Sequence, residues 1–247
     1  MKKLLIAMAF AGLSLSSMAQ ETADPTLKYS VATNSFWSNW FVQGNFTWTA
    51  FYSNEEKGMG WTKSPVKDFR RDMGFSAAIG KWFTPGIGIR AKFNGIWGKD
   101  VPKENAYNTC MHNKYWNLQG QALFNLSNLF CGYSPTRVWN ISPYAGIGLV
   151  RNMSLNSYCM AGSAGILNQW RVSKRVQINL DVQYNIMGDD FEGVDESLAY
   201  GGHEKRNHDQ IVSAEIGLTY NLGRCTWNKT PDVDAIKALA QSQIDAL

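Results

Sequence analysis

Eleven residues in the last third of the chain alternate strictly between apolar and polar side chains. In the run 176–186, the even positions hold Val, Ile, Leu, Val, Tyr and Ile, and the odd positions hold Gln, Asn, Asp, Gln and Asn. Because a β-strand points successive side chains to opposite faces, this strand has one apolar and one polar face. Its length is that of a tilted membrane-spanning strand, which needs about 9–11 residues. The run therefore predicts the wall of a β-barrel.

The N-terminal residues have the features of a secretory signal. Three residues including Lys2 and Lys3 precede an apolar run at 4–15, and small residues follow up to Ala19. A signal peptide over 1–19 explains this order, whereas a membrane anchor helix would need a longer apolar run. No later segment approaches the roughly 18 unbroken apolar residues of a spanning helix. An exported chain of this kind, rich in long alternating strands, is expected in the Gram-negative outer membrane.

The composition agrees with a barrel in lipid. Charged residues make up 18% of the chain, aromatic residues reach 13%, and 22 residues are Gly. Barrel walls use Gly at tight bends and aromatic side chains in the girdles at the two membrane interfaces. The formal charge of +4 falls to +2 when Lys2 and Lys3 leave with the signal. So small a charge argues against nucleic acid as a partner.

Alternating runs of the same kind recur along the chain. They place eight strands, at residues 40–52, 73–84, 86–98, 114–126, 142–151, 159–172, 176–187 and 209–222. We expect the apolar faces to point to lipid and the polar faces to the lumen, the inverse of a soluble barrel that holds a hydrophobic ligand. The sequence thus predicts an all-β fold, an eight-stranded antiparallel up-and-down transmembrane β-barrel at 40–225. A periplasmic N-terminal segment at 20–39 precedes it.

The predicted connections differ in length at the two ends of the barrel. Residues 84–85 and 173–175 are tight turns, whereas residues 53–72, 99–113 and 188–208 form long loops. Outer-membrane barrels have short periplasmic turns and long outer loops, and an even number of strands returns both termini to the periplasm. The segment 126–141 is an exception, an unusually long periplasmic connection.

This topology constrains the four cysteines. Cys110 and Cys159 are expected outside the cell, and Cys131 and Cys225 in the periplasm. Four cysteines allow three pairings, and only Cys110–Cys159 with Cys131–Cys225 avoids crossing the membrane. Disulfides persist in exported proteins. Two structural bridges are the preferred interpretation, and free thiols are the alternative.

The last strand carries a short pattern of Gly, an aromatic residue and a terminal apolar residue. Gly217, Tyr220 and Leu222 hold these positions. The pattern resembles the C-terminal strand signal that the outer-membrane insertion machinery recognises in its clients. We therefore expect that machinery to be a partner of this chain.

Several stretches resemble the outer-membrane protein A family. They are Asn-Ser-Phe-Trp-Ser-Asn-Trp-Phe at 34–41, Ser-Pro-Tyr-Ala-Gly-Ile-Gly at 142–148 and Val-Ser-Lys-Arg-Val at 172–176, and the similarity covers about 34–225. The resemblance implies a barrel that anchors the protein and stabilises the envelope, with a separate C-terminal domain that grips peptidoglycan. In place of that domain, which we expect to be missing, the residues at 226–247 predict a periplasmic linker helix that begins near Pro231.

Four charged residues fall on the predicted lumen face. Arg90 and Asp181 lie at similar depths, and Lys92 and Glu215 form a second pair at similar depths. The third and seventh strands face each other across a circle of eight, and such a lumen is only wide enough for side chains to fill it. Since isolated charges there would need partners, we predict a salt-bridged plug. The plug is either permanent or a gate that re-pairs and passes ions.

Catalysis is not expected. The three histidines, His112, His203 and His208, all fall in predicted outer loops, and no nucleophile accompanies them. The chain has no phosphate loop, triad spacing or metal-ligand cluster, and the acidic stretch 189–196 lacks the spacing of a calcium loop. We therefore predict no enzyme activity, no cofactor and no metal.

Three roles remain for such a barrel. The first is a structural anchor of the envelope, or a subunit of an outer-membrane complex that contacts a protein partner through 126–141 and the C-terminal helix. The second is a small, low-conductance pore gated by the lumen salt bridges. The third is an adhesin or receptor formed by the outer loops, with Trp61, Tyr107 and Tyr200 as exposed candidates. Outer-membrane lipid and lipopolysaccharide are expected partners in each role.

Overall fold

The structure is a computed structural model. It describes residues 29–31, 35–52, 62–67, 70–104, 110–154, 156–188, 191, 208–231, 237, 241 and 244, and at 29–31, 96–104, 110–113 and 229–231 it describes the backbone only. Two compact units can be distinguished, one formed by residues 33–228 and the other by residues 1–32 with 229–247.

The larger unit is a closed antiparallel barrel of eight strands. In chain order the strands are β2 (Trp40–Tyr52), β3 (Arg71–Trp82), β4 (Ile87–Glu104), β5 (Cys110–Phe124), β6 (Trp139–Asn152), β7 (Ser157–Arg171), β8 (Val176–Met187) and β9 (Asp209–Leu222). Each strand pairs with the next, and β9 closes the ring on β2 from Trp40 opposite Leu222 to Tyr52 opposite Gln210. The predicted fold class is confirmed, and β2, β8 and β9 have the predicted bounds.

The predicted outer loop at 99–113 is mostly wrong. The chain continues the β4–β5 ladder there, with Lys99 opposite Tyr115 and Glu104 opposite Cys110, after a register shift beyond Asn94. Gly95 lies at this shift with a φ of +82°, and a Cβ there would come within 2.5 Å of the Tyr115 carbonyl oxygen. A glycine at the irregularity therefore lets the hairpin bend and go on pairing.

The fourth predicted strand ends too late. Residue 126 begins a short helix, α1 (Leu126–Phe130), because the side chain of Asn125 accepts a hydrogen bond from the backbone N–H of Asn128 at 3.0 Å and caps the helix. The long connection that follows is tied together by Arg137, whose guanidinium donates to the carbonyls of Ser127 and Gly132.

The smaller unit contains a two-stranded antiparallel sheet of β1 (Tyr29–Val31) and β10 (Lys229–Pro231). The predicted helix over 226–247 is therefore wrong at residues 226–231, where 226–228 are irregular and 229–231 form a strand. A proline disfavours the α conformation of the residue before it, so Thr230 is extended and pairs with Ser30. Lys237, Gln241 and Ile244 are helical, and the other residues of 232–247 lie outside the described residues. No helix in the described part of the chain has the length and apolar character to cross a membrane.

The two faces of the barrel wall are divided as the alternation predicts. Ile147, for example, is 70% exposed on the outer face, and Lys92 is fully buried on the inner face. The large apolar side chains Ile89, Leu118, Met160, Ile216 and Leu218 share the outer face with Ile147. The polar side chains fill the lumen, where the candidate site lies.

Candidate functional site in the barrel lumen

Four charged side chains meet at the centre of the lumen, and they are those predicted from the sequence. Asp181 Oδ2 forms an ion pair with Arg90 Nη2 at 3.0 Å and accepts a hydrogen bond from Lys92 Nζ at 3.0 Å. Lys92 Nζ also lies 2.9 Å from Glu215 Oε1. All four side chains have no solvent exposure. Because two cations face two carboxylates, the cluster has no net charge, as burial of ions requires.

Amide side chains complete the coordination of the two cations. Arg90 donates from Nε to Gln121 Oε1 and from Nη1 to Gln43 Oε1, both at 2.8 Å. Lys92 donates to Gln183 Oε1 at 3.0 Å. These partners come from three different strands, β5, β2 and β8, so the cations connect walls on several sides of the barrel.

The carboxylates also have neutral partners. Tyr144 donates its hydroxyl hydrogen to Asp181 Oδ1 at 2.5 Å, and its ring lies 4.6 Å from the guanidinium carbon of Arg90. Glu215 Oε2 accepts from Ser76 Oγ at 2.6 Å and from Asn45 Nδ2 at 3.0 Å. Hydrogen bonds to a charged acceptor are stronger than those between neutral groups, so these contacts fix the carboxylates in place.

An apolar cluster fills the lumen toward the end where the long loops begin. It consists of Phe51, Tyr115, Val150, Cys159, Ala161, Met187, Phe191 and Ile211, all buried. Phe191 belongs to the segment after β8 and is 1% exposed. Its ring centroid lies 5.7 Å from that of Phe51 and 5.6 Å from that of Tyr115, and its carbonyl accepts from Asn152 Nδ2. Phe191 thus closes this end of the lumen from above.

A second apolar cluster lies at the opposite end of the lumen. Leu123, Tyr144 and Leu167 are buried there and Trp82 packs against them. Along the barrel axis, the charged cluster is therefore enclosed between these two apolar layers.

One small cavity remains between the ionic cluster and the outer apolar layer. Its volume is about 10 Å³, which is room for about one water molecule. Four buried oxygens that line it have no hydrogen-bond partner among the described residues, and they are Thr47 Oγ1, Asn94 Oδ1, Asn117 Oδ1 and Ser213 Oγ. Among the described residues, this level of the lumen thus contains a space for about one water molecule rather than a wide opening.

The comparisons with known proteins agree with this architecture. No protein-family model matches the chain. Outer membrane protein 40 of Porphyromonas gingivalis is 30% identical over 175 residues, which cover 68% of this chain and 45% of that protein. The chain thus spans less than half the length of this relative. The chain is an outer-membrane β-barrel.

Solved structures of small outer-membrane barrels are also similar to it. Neisserial surface protein A has a TM-score of 0.43 and 11% identity over 74% of this chain and 97% of its own. The outer membrane protein OprG from Pseudomonas aeruginosa has a TM-score of 0.44 and 11% identity over 74% of this chain and 95% of its own.

The predicted bridge between Cys131 and Cys225 is not formed in this outer-membrane barrel. Cys131 is exposed, and the half-buried thiol of Cys225 donates instead to the carbonyl of Gly223 at 3.3 Å. Burial raises the pKa of the Cys225 thiol above its usual value, although Arg175 and Arg171 act in the other direction. The side chain of Cys110 lies outside the described residues, so its pairing with the buried Cys159 stays a prediction.

The other predicted sites are placed as follows. Tyr220 and Leu222 of the insertion pattern are exposed on the outer face, whereas Gly217 faces the lumen, where a Cβ would come within 2.3 Å of Asn45 Oδ1. Recognition by the insertion machinery stays a prediction. His208 is exposed. Described residues hold no group of three metal-ligating side chains. The side chain of His112, together with His203, Trp61, Tyr107 and Tyr200, lies outside the described residues.

Tyr144 and Phe191 are the lumen residues that the sequence analysis missed. Tyr144 belongs to a strand rich in Gly and Ala, where alternation is weak and the inward face is hard to assign. Ser142, two positions earlier and also buried, is the polar residue that would have shown which face of this strand points into the lumen. Phe191 follows the last alternating residue and carries no periodic signal.

Proposed function

We propose that this barrel is a structural component of the outer membrane that anchors or stabilises the cell envelope and does not conduct. The observation that carries the proposal is the closed lumen, in which the cluster of Arg90, Lys92, Asp181 and Glu215 lies between two apolar layers. A conducting pore needs a continuous wet path, and the buried, mutually neutralised charges offer none.

A sealed barrel contributes a fixed attachment in lipid. Large apolar side chains on its outer face, among them Ile89, Ile147 and Leu218, are exposed. The attachment surface that we favour is the periplasmic connection at 126–141. Phe130 is 82% exposed and Leu129 is 50% exposed there, on a helix that Arg137 holds in place. Exposed apolar side chains on a rigid segment suit a protein partner.

The test of this role uses a deletion strain. We expect deletion to raise leakage of a periplasmic enzyme in the presence of detergent, and the wild-type gene to restore retention. A barrel shortened within 53–61 and 192–207, which leaves β3 and Phe191 in place, should restore it as well, because the anchor does not depend on the outer loops. The result that would contradict the proposal and favour the adhesin role has two parts. The deletion strain would keep its envelope intact, and surface binding would be lost both on deletion and on removal of the loops.

A gated pore is the second candidate, and one contact favours it. Asp181 Oδ2 is shared by Arg90 and Lys92, so either cation can keep a partner while the other moves. The test is chloride entry into vesicles that contain a chloride-quenched dye and the refolded barrel. If the barrel is a closed anchor, we expect chloride to enter these vesicles no faster than it enters vesicles without protein. Faster chloride entry that depends on Asp181 would favour the pore.

A further inference from the structure

The periplasmic end of the barrel carries charge of one sign. The segments at that end, residues 35–41, 81–87, 125–140, 170–177 and 220–228, contain no Asp or Glu. Their basic residues are Lys81, Arg137, Arg171, Lys174, Arg175 and Arg224. The outer loops differ, since each of the segments 53–72 and 188–208 contains residues of both signs. The one-sided charge therefore distinguishes the periplasmic end.

Lys81 and Arg137 are each held by several backbone carbonyls. Lys81 is 6% exposed and donates to the carbonyl of Ser38 at 2.7 Å, and Arg137 is held by carbonyls of its own connection. The other four, Arg171, Lys174, Arg175 and Arg224, are half-buried or exposed, and we call them the basic patch.

Contacts between β7, β8 and β9 bring the basic patch together. The backbone N–H of Asn221 donates to the Arg175 carbonyl at 2.8 Å, and Arg175 Nη1 lies 3.4 Å from the Tyr220 hydroxyl. The charges of both Arg171 and Arg175 act on the thiol of Cys225, the residue after Arg224. The turn that holds Arg175 and the segment after β9 that holds Arg224 are thus neighbours.

The basic patch borders directly on the lipid-facing surface. Trp170 and Val172 flank Arg171 and are 37% and 63% exposed, and Trp170 pairs with the exposed Trp139 of β6. Leu222, exposed on the outer face, lies two residues before Arg224. Tryptophan is typical of the membrane interface, and a strand advances about 3.4 Å per residue. The cations therefore lie at the edge of the lipid-facing surface, where an anionic headgroup acts on a charge over a Debye length of roughly 8 Å.

We propose that Arg171, Lys174, Arg175 and Arg224 bind the phosphate headgroups of anionic phospholipids in the periplasmic leaflet of the outer membrane. Guanidinium and ammonium groups suit phosphate oxygens, and the described residues of the five segments at this end include no carboxylate that would compete for them. Arg171 donates from Nη1 to the Pro135 carbonyl and Arg224 from Nη2 to Asn228 Oδ1, and each guanidinium has further N–H donors for a lipid. Continuity with the girdle of Trp139 and Trp170 favours lipid over the carboxylates of peptidoglycan, which lies farther from the membrane surface. The surface would hold a ring of selected lipid against the barrel.

The test measures lipid preference by quenching of tryptophan fluorescence. The full chain is refolded into phosphatidylcholine vesicles that contain increasing amounts of phosphatidylglycerol with brominated acyl chains, and brominated phosphatidylcholine serves as the reference lipid. We expect the wild type to prefer phosphatidylglycerol. In the triple variant Lys174→Gln, Arg175→Gln, Arg224→Gln, the preference for phosphatidylglycerol over phosphatidylcholine should fall by a factor of at least about five. The reason is that one basic residue near an anionic surface contributes about fivefold in affinity. Arg171 is retained because it donates to the Pro135 carbonyl.

Two matched variants control for charge and for folding. Lys63→Gln, Lys67→Gln, Lys114→Gln removes the same charge from exposed residues at the outer end and should keep the preference. Arg175→Lys, Arg224→Lys retains the charge and should keep it too. The shift in gel mobility between unheated and boiled samples establishes that each variant is folded.

Three results would overturn the proposal. The first is a wild-type preference that the basic-patch variant retains. The second is an equal loss in the outer-end variant, which would make the effect one of total charge. The third is an unchanged lipid preference together with lost sedimentation on isolated peptidoglycan, which would assign the patch to the cell wall instead.

Discussion

Lys92 Nζ lies 2.9 Å from Glu215 Oε1 in a part of the lumen where neither side chain is exposed. The two residues belong to β4 and β9, which are not neighbours in the ring, so the ion pair joins separate walls of the barrel. The same ammonium reaches Asp181 on β8, directly opposite β4. Lys92 is therefore the residue that joins the two carboxylates of the plug.

Loss of the Lys92 ammonium should destabilise the barrel strongly. Lys92→Met leaves two buried carboxylates with only Arg90 as a cationic partner, and breaking a buried ion pair costs about 3–5 kcal/mol. The measurement is urea unfolding of the protein in lipid vesicles. Lys174→Met, at an exposed turn position, is the control and should change the free energy of unfolding by about 0.5 kcal/mol or less. Equal stability of the two variants would contradict the network.

Tyr144→Phe should destabilise the folded barrel without changing its shape. The variant removes the hydroxyl that donates to Asp181 at 2.5 Å, and a hydrogen bond to a charged group contributes about 1.5–3 kcal/mol. The same unfolding measurement applies. Tyr158→Phe removes a hydroxyl from a side chain that is 55% exposed, and we expect it to be nearly neutral. A neutral Tyr144→Phe would show that Asp181 does not depend on this bond.

The orientation of the wall predicts a depth-dependent cost for charge on the outer face. Ile147→Arg, near the middle of β6, should cost about 2–4 kcal/mol, because an arginine at the bilayer midplane is exposed to hydrocarbon. Val138→Arg, immediately before β6 at the periplasmic end, should cost about 0–1 kcal/mol. Similar costs at the two positions would mean that the outer face of β6 is not in contact with lipid along its length.

The two periplasmic thiols should differ in reactivity. Burial raises the pKa of Cys225, so less of it is thiolate at a given pH, whereas Cys131 is exposed. We expect a maleimide to label Cys131 first at neutral pH, and the labelling of Cys225 to continue rising at pH values above the usual thiol range. Mass spectrometry of peptides after timed labelling measures both rates. Faster labelling of Cys225, or a bridge between the two residues, would contradict the placement of these thiols.

Strand positions and most lumen charges follow from local rules. A strand with one face to lipid and one to the lumen has to alternate apolar and polar side chains, so the bounds of β2, β8 and β9 could be predicted from sequence. The same period of two residues places Lys92 and Asp181 on the inward face. Opposition of the third and seventh strands follows from closure of eight strands. The ion pairs then meet because the lumen is narrow.

Other features depend on contacts that no local pattern records. The β4–β5 hairpin extends through a register shift at Gly95, and a bulge of this kind interrupts the alternation that identifies a strand. Phe191 fills the lumen from outside any strand, and its role depends on the space left between Phe51 and Tyr115. The pairing of β1 with β10 joins segments from the two ends of the sequence, and only the tertiary fold brings them together.

Planar-bilayer conductance of the refolded wild-type barrel, measured beside Asp181→Ala and Glu215→Ala, tests the closed lumen most directly. Gel mobility of unheated samples establishes that each protein is folded before it is added to the bilayer. We expect no resolved current for the wild type, because the ionic cluster and both apolar layers fill the lumen. A small wild-type conductance that rises when either carboxylate is removed would contradict it and make the cluster a gate.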